Sequence, residues 1–248
     1  MASRPGCEVF MVKLVGVLNI TPDSFSDGGQ GDPLARAAQL IADGADVLDV
    51  GAESTRPGAT PLAPQEEWAR LSPIWRELFA LCRAQGVQLS LDTRHAHTAQ
   101  QVLALGCDWI NDVSGFNDAA MLDVVREAAC KLVVMHSLSI PADKSVALPE
   151  DTDMPAFMRG WMAETAARLQ AAGIAPQRIL YDPGIGFGKT AQQSWQLLST
   201  MAQWKGEHAL LIGHSRKSFL ALFEKKSLHP QAGGGMDIEH RDALTRLT

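Results

Sequence analysis

Cysteine is scarce in this chain and widely scattered. Cys7, Cys82, Cys107 and Cys130 include no CxxC pair and no short ligand spacing, so neither a disulfide framework nor a cysteine-built zinc site is expected and the thiols read as reduced. No block of consecutive Lys or Arg occurs, and 22 basic against 28 acidic residues leave a net charge of −6. That balance disfavours a nucleic-acid backbone as a partner. No run approaches the ~20 apolar residues that a membrane helix needs. The one apolar stretch near the start, Val9–Ile20, is interrupted by Lys13 and Asn19 and passes into a turn-rich segment instead of a small-residue cleavage site. A cytoplasmic protein is the expectation, with neither membrane nor nucleic acid as partner. A GxGxxG after the first strand is also missing, which argues against a dinucleotide-binding fold.

What is present is a chain of 248 residues, 46% of them hydrophobic, enough for one large core in a single domain over 1–248. Short apolar, β-branched runs alternate with helical patterns, the signature of parallel βαβ units. The spacing predicts strands over Lys13–Leu18, Asp46–Val50, Val87–Leu91, Trp109–Ile110, Lys131–Met135, Arg178–Tyr181 and Ala209–Ile212. Between them Leu34, Ala37, Ala38 and Ile41 follow a half-buried helical stripe, as do Met158, Trp161, Met162, Thr165 and Leu169. Pro33 suits a first helical turn, and Gly44, Gly86 and Gly173 suit helix ends.

Each predicted strand terminates in polar residues: Asn19, Asp49, Asp92, Asn111 with Asp112, His136, Asp182 and His214. A parallel barrel points all its strand C-termini to one mouth, where these positions would converge. An α/β barrel of the TIM type is therefore the expected architecture.

Three segments carry chemistry. Gly16–Gly29 (GVLNITPDSFSDGG) leaves a strand into a loop of Thr, Pro, Asp, Ser and Gly with apolar Phe25 in its middle. Asn19 could be a turn-capping amide or a hard oxygen ligand. Asp49–Gly58 (DVGAESTRPG) offers hydroxyl and guanidinium donors suited to an anion. Ser215–Ser218 (SRKS) follows the last strand, setting Lys217 at the start of a helix, where it could meet an anionic or carbonyl oxygen or simply be solvated. The run Gly184–Thr190 imitates the end of a phosphate-binding P-loop, but that motif needs a glycine where Pro183 stands. Its glycines instead suit a close backbone approach to a flat ligand. His95 and His97 sit two positions apart, which on a helix points them to different faces, and no third ligand is near in sequence. Zinc is not expected there.

With these segments together, the chain resembles the dihydropteroate synthases over most of its length, from Leu14 to about Phe223, although Ala52 stands where the family commonly has Gly. The resemblance implies a (β/α)8 barrel that joins a pterin diphosphate to p-aminobenzoate, with Mg²⁺ beside the diphosphate and a homodimeric assembly. It assigns Mg²⁺ to Asn19 and puts Thr55 and Arg56 on a loop closing over the diphosphate. It gives Asn111 and Asp182 to the pterin edge with Asp92 deeper in the pocket, and Met135, Ile185, Gly186 and Phe187 to the pterin walls. Lys217 would contact the pterin and Ser218 the p-aminobenzoate carboxylate, while the loops of Phe25 and Pro57 would enclose the amine. Arg56, Lys217 and Asp92 are the expected catalytic residues. His214 is either a satisfied polar residue or a diphosphate contact.

The resemblance stops near the end. The family's eighth strand, with its Arg-x-His anion motif, has no counterpart, and Asp237–Thr248 reads as a charged helix. The expectation is a barrel lacking its eighth strand and last helix, shortened at its C-terminus. A pterin-dependent methyltransferase domain and a non-catalytic pterin-binding protein are the rival readings.

Overall fold

A computed structural model describes residues 12–20, 32–54, 58–143, 145–215 and 217–220. The strands are β1 (Val15–Asn19), β2 (Val47–Gly51), β3 (Gln88–Asp92), β4 (Trp109–Asp112), β5 (Lys131–Met135), β6 (Ile179–Asp182) and β7 (Ala209–Leu210). The helices are α1 (Pro33–Ala42), α2 (Pro64–Leu71), α3 (Trp75–Gln85), α4 (Ala96–Leu105), α5 (Ala119–Arg126), α6 (Met154–Ala171), α7 (Ala191–Ser199) and α8 (Met201–Trp204). Short 3-10 turns occupy Pro176–Arg178 and Ser218–Leu220.

All the strands run parallel in the order β1-β2-β3-β4-β5-β6-β7. The result is a curled, TIM-barrel-like sheet that lacks an eighth strand among the described residues, as expected. Because β1 has no neighbour on its free side there, Val17 is 58% exposed. No helix among the described residues is long and apolar enough to cross a membrane.

Strand alternation divides the side chains into two layers. Leu48, Val50, Leu89, Leu91, Ile110, Leu132 and Val134 are buried under the helices, in a core shared with Trp75, Leu78, Met121, Met158 and Leu169. Val47, Trp109, Val133 and Leu180 form a separate inner cluster with Val15 and Leu211. Each fully buried Leu, Ile or Val contributes roughly 1.5–3 kcal/mol, which fixes the register of every strand.

Local chemistry sets the helix ends. Asp32, Asp118 and Asp153 accept backbone N–H bonds at the starts of α1, α5 and α6, and Thr190 with Gln193 forms a reciprocal capping box on α7. Gly86 ends α3 in the left-handed region at φ 70°. The predicted sixth strand is displaced by one residue because Arg178 belongs to the turn before it. Its guanidinium donates to the carbonyls of Val125, Arg126 and Cys130 at 2.8, 3.2 and 2.9 Å. β7 stops at Leu210 instead of Ile212, although the Leu211 N–H still reaches the Tyr181 carbonyl at 3.0 Å.

Candidate active site

The inner layer that holds Val47 and Val133 at mid-barrel becomes polar at the strand C-termini. Positions sharing that face are Asn19, Asp49, Gly51, Asp92, Asn111, Met135 and Asp182, and the register sets Asn19 beside Gly51, Gly51 beside Asp92, Asp92 beside Asn111, and Met135 beside Asp182. Asp112 has the opposite parity. Its carboxylate turns outward and accepts from Ser114 N, Ser114 Oγ and Phe116 N at 2.7, 2.8 and 2.9 Å. It organises the loop after β4, and only its neighbour Asn111 faces the mouth.

Asp49 lies at the centre of the inner array. Ser90 Oγ donates to one of its oxygens at 2.6 Å and Asn111 Nδ2 to the other at 2.9 Å. Burial raises the Asp49 carboxyl above its usual range in spite of both bonds. Asp92 is raised further, by burial first and then by the charges of Asp49, Glu67, Asp112 and Glu53. A Cβ at position 51 would stand 3.2 Å from Asp92 Cβ, so Gly51 leaves the room in which the Asp92 side chain lies. Neighbouring carboxyls that resist joint ionisation share protons, and the array can therefore both donate and accept along a heterocycle edge.

Opposite this group, Asp182 accepts from the Gly184 N–H at 2.7 Å. Burial raises its pKa to about 6 against the opposing effects of that N–H, Lys217 and Lys189. The Lys217 ammonium lies 4.6 Å from the centre of the Phe187 ring, and its stem passes 3.9 Å from where a Cβ on Gly186 would be. Burial lowers its pKa while Asp182 opposes the shift. The structure thus brings four of the expected site residues, Asp182, Gly186, Phe187 and Lys217, together.

Behind that loop is a buried lysine the sequence reading passed over. Lys189, 7% exposed, donates to His136 Nδ1 at 2.8 Å and to the carbonyls of Gly184 and Phe187 at 3.1 Å each. Burial lowers its pKa to about 7, and burial together with Lys189 depresses His136 to about 3. His136 is therefore neutral, and its Nδ1 accepts from Lys189 whenever the lysine is charged. The clamp needs glycine at position 184, where φ is 64° and a Cβ would lie 1.9 Å from the His136 carbonyl oxygen. A cavity of about 260 Å³ adjoins His136. Met135, His136, Ser114, Trp161 and Arg168 are among its lining residues, while Asp92, Asn111, Asp182 and Lys217 are not.

Phe25, Thr55, Arg56 and Pro57 lie outside the described residues, and of Ser218 only the backbone of a 3-10 turn is described. Lys217 is followed by that 3-10 turn, and the residues after Leu220 lie outside the described ones. Asn19 is exposed at the end of β1, and His214 is half-buried. Reading His95 as a helical residue needs correction: it is the residue before α4, in extended conformation. Two carboxylates, Glu53 and Glu67, lie close to it. Asp49, Lys189 and His136 were absent from the predicted site because their contacts span 41 to 62 residues. For Asp49 and His136 a signal did exist, since both had been picked out among the strand-end polar residues.

A profile of the pterin binding enzymes matches residues 15–247. The chain is also 42% identical over 217 residues to a dihydropteroate synthase of Neisseria meningitidis serogroup C, covering 84% of this chain and 75% of that one. The chain belongs to the dihydropteroate synthase family. Solved structures of the family agree with the fold. The Anaplasma phagocytophilum dihydropteroate synthase, with bound 6-hydroxymethylpterin-monophosphate, superposes with a TM-score of 0.82 at 32% identity, covering 95% of this chain and 86% of that one. The Xanthomonas albilineans dihydropteroate synthase with 4-aminobenzoic acid gives 0.77 at 33% identity, covering 94% and 80%.

Proposed function

We propose that this chain catalyses the dihydropteroate synthase reaction: the amine of p-aminobenzoate displaces diphosphate from 6-hydroxymethyl-7,8-dihydropterin diphosphate, giving 7,8-dihydropteroate. The observation that carries the reading is the inward-facing array of Asp49, Asp92, Asn111 and Asp182, with Lys217 resting on Phe187. A pterin presents a guanidine-like edge of N–H donors beside ring acceptors. Asp182 as a carboxylate takes the donors, Asn111 supplies a mixed partner, and protonated Asp92 can donate from the floor. Phe187, Met135 and the glycine backbone at Gly186 flank the flat ring, and Lys217 meets its carbonyl side.

As the C–O bond lengthens, the pterin methylene gains positive charge and the diphosphate leaves with its electron pair. The enzyme's task is to hold the pterin, stabilise the departing anion and position the amine, so no strong general base is required. Mg²⁺, when bound, neutralises the diphosphate. Asn19 suits that ion: its amide is a hard oxygen donor, and it is exposed at the strand end beside the acidic array. Thr55 and Arg56 would contact the leaving group, Ser218 the p-aminobenzoate carboxylate, and Phe25 and Pro57 would cover the amine. On this reading the chain is one pterin-binding barrel acting as a homodimer in the cytoplasm, and sulfonamides compete for the p-aminobenzoate pocket.

Diphosphate release, assayed with pterin diphosphate, p-aminobenzoate and Mg²⁺, tests the proposal. Release that requires both organic substrates supports it. Tight pterin binding without release would defeat it, and methyl transfer from methyl-tetrahydrofolate would point to the methyltransferase instead.

A further inference from the structure

Between the ends of β2 and β3 and the helices α2 and α4 lies a buried group that the pterin chemistry does not use. Glu53, Glu67 and His95 each offer one ligand atom, and these atoms all lie within 4.8 Å of one another. Glu67 is fully buried, and its Oε2 accepts from the Thr93 hydroxyl at 2.7 Å, while Oε1 has no hydrogen-bond partner. The Thr98 hydroxyl is 3.4 Å from the Pro64 carbonyl and also lies near enough to the Glu67 carboxylate to favour its charged form. His95 Nε2 is also buried without a partner, 3.8 Å from Glu53 Oε2. Two buried polar atoms left unpaired around a third ligand are what a site shaped for a missing ion leaves behind.

The surroundings orient these atoms as an outer shell does. Arg94 donates to both Glu53 oxygens, at 2.8 and 2.9 Å, and the Leu62 N–H donates to Oε1 at 2.8 Å. Glu53 Oε2 thus keeps one lone pair facing His95. His95 presents its unpartnered Nε2 to two carboxylates, the mixed nitrogen and oxygen donor set of a metal ligand.

We propose that Glu53, Glu67 and His95 form a binding site for a divalent transition-metal ion, Zn²⁺ above all, separate from the Mg²⁺ that would accompany the diphosphate. One imidazole and two carboxylates suit zinc with a water as fourth ligand, whereas Mg²⁺ prefers oxygen alone. Metal–ligand distances near 2.1 Å put tetrahedral ligand atoms about 3.4 Å apart. The 3.8 Å between His95 Nε2 and Glu53 Oε2 therefore needs to close by only a few tenths of an ångström. Arg94 offsets the Glu53 charge before the ion enters, and burial raises the Glu67 carboxyl, which a bound cation would hold ionised. Bound there, the ion would tie α2 and the start of α4 to the segment leading from β2 into Thr55–Pro57.

The test uses the full chain, stripped of metal by chelator, and reads binding instead of turnover. Titration with Zn²⁺ alone by calorimetry should give one site per chain, and Co²⁺ should give the intense visible bands of a tetrahedral centre. Glu67→Gln and His95→Asn should each weaken that site by at least about tenfold, and His97→Asn should leave it unchanged. Circular dichroism checks that each variant folds; if one does not, the other carries the comparison. No Zn²⁺ binding in the micromolar range, or binding indifferent to both substitutions, would overturn the assignment and leave the pair of unpartnered atoms to a bridging water.

Discussion

Replacing Lys189 with Met should cost stability in a pH-dependent way, because the lysine combines three buried hydrogen bonds with an expensive buried charge. Its pKa falls from 10.5 to about 7, so the folded state holds fewer protons than the unfolded chain between those values. Below about pH 7 the lysine is charged in both states and the full penalty of burying it, about 5 kcal/mol, is present. The penalty fades as pH rises, because only the unfolded chain still carries the proton. From about pH 7 to about pH 9 the native protein should therefore gain about 2 kcal/mol from this group. Methionine does not titrate and leaves His136 Nδ1 and the Gly184 and Phe187 carbonyls without donors, at roughly 1–3 kcal/mol each. The stability difference between native protein and variant should thus widen by about 2 kcal/mol across that interval. Urea denaturation followed by tryptophan fluorescence measures it. A difference that stays constant with pH would show that Lys189 is not held as a buried, depressed base.

The other expectations concern the mouth of the barrel. Asp182→Asn should weaken 6-hydroxymethylpterin binding by about 10–100-fold, the worth of a hydrogen bond to a charged acceptor; an effect within twofold by calorimetry would remove Asp182 from the pterin edge. Since its carboxyl titrates at about 6, native affinity should fall as pH drops through that value while the Asn variant stays flat. Gly184→Ala sets a Cβ 1.9 Å from the His136 carbonyl oxygen at φ 64°, so a loss of at least about 3 kcal/mol is expected by denaturant titration. Adjacent residues should separate: Asn111→Ala should impair pterin binding with little loss of stability. Asp112→Ala, which strands the Ser114 and Phe116 N–H groups, should lower stability by about 2–4 kcal/mol and spare binding. If both act alike, the inward–outward division at β4 is wrong.

The architecture was legible because its causes are local. Alternating apolar runs and helical stripes predict parallel strands with crossover helices, and a polar residue at the end of each apolar run marks the mouth. The site was legible only in part. Asn111 and Asp112 are neighbours of equal polarity, and nothing in the string says which faces inward. The register against β3 and β5 decides it. Asp49 reads as the opening of a motif, yet its bonds to Ser90 and Asn111 make it the centre of the array.

Lys189 looked like the end of a false P-loop. Its clamp on His136 joins residues 53 apart, which no motif records. His95 was dismissed beside His97, while its companions Glu53 and Glu67 lay 42 and 28 positions away. By itself, then, the sequence determined the strand–helix alternation, the polar strand ends and the family motifs, because backbone propensity and apolar period act over a few residues. Only the tertiary structure decided which polar groups face one another, which carboxyls are buried together, and hence where protons and cations can reside. Those properties depend on burial and distance between strands, which a linear order of residues does not contain.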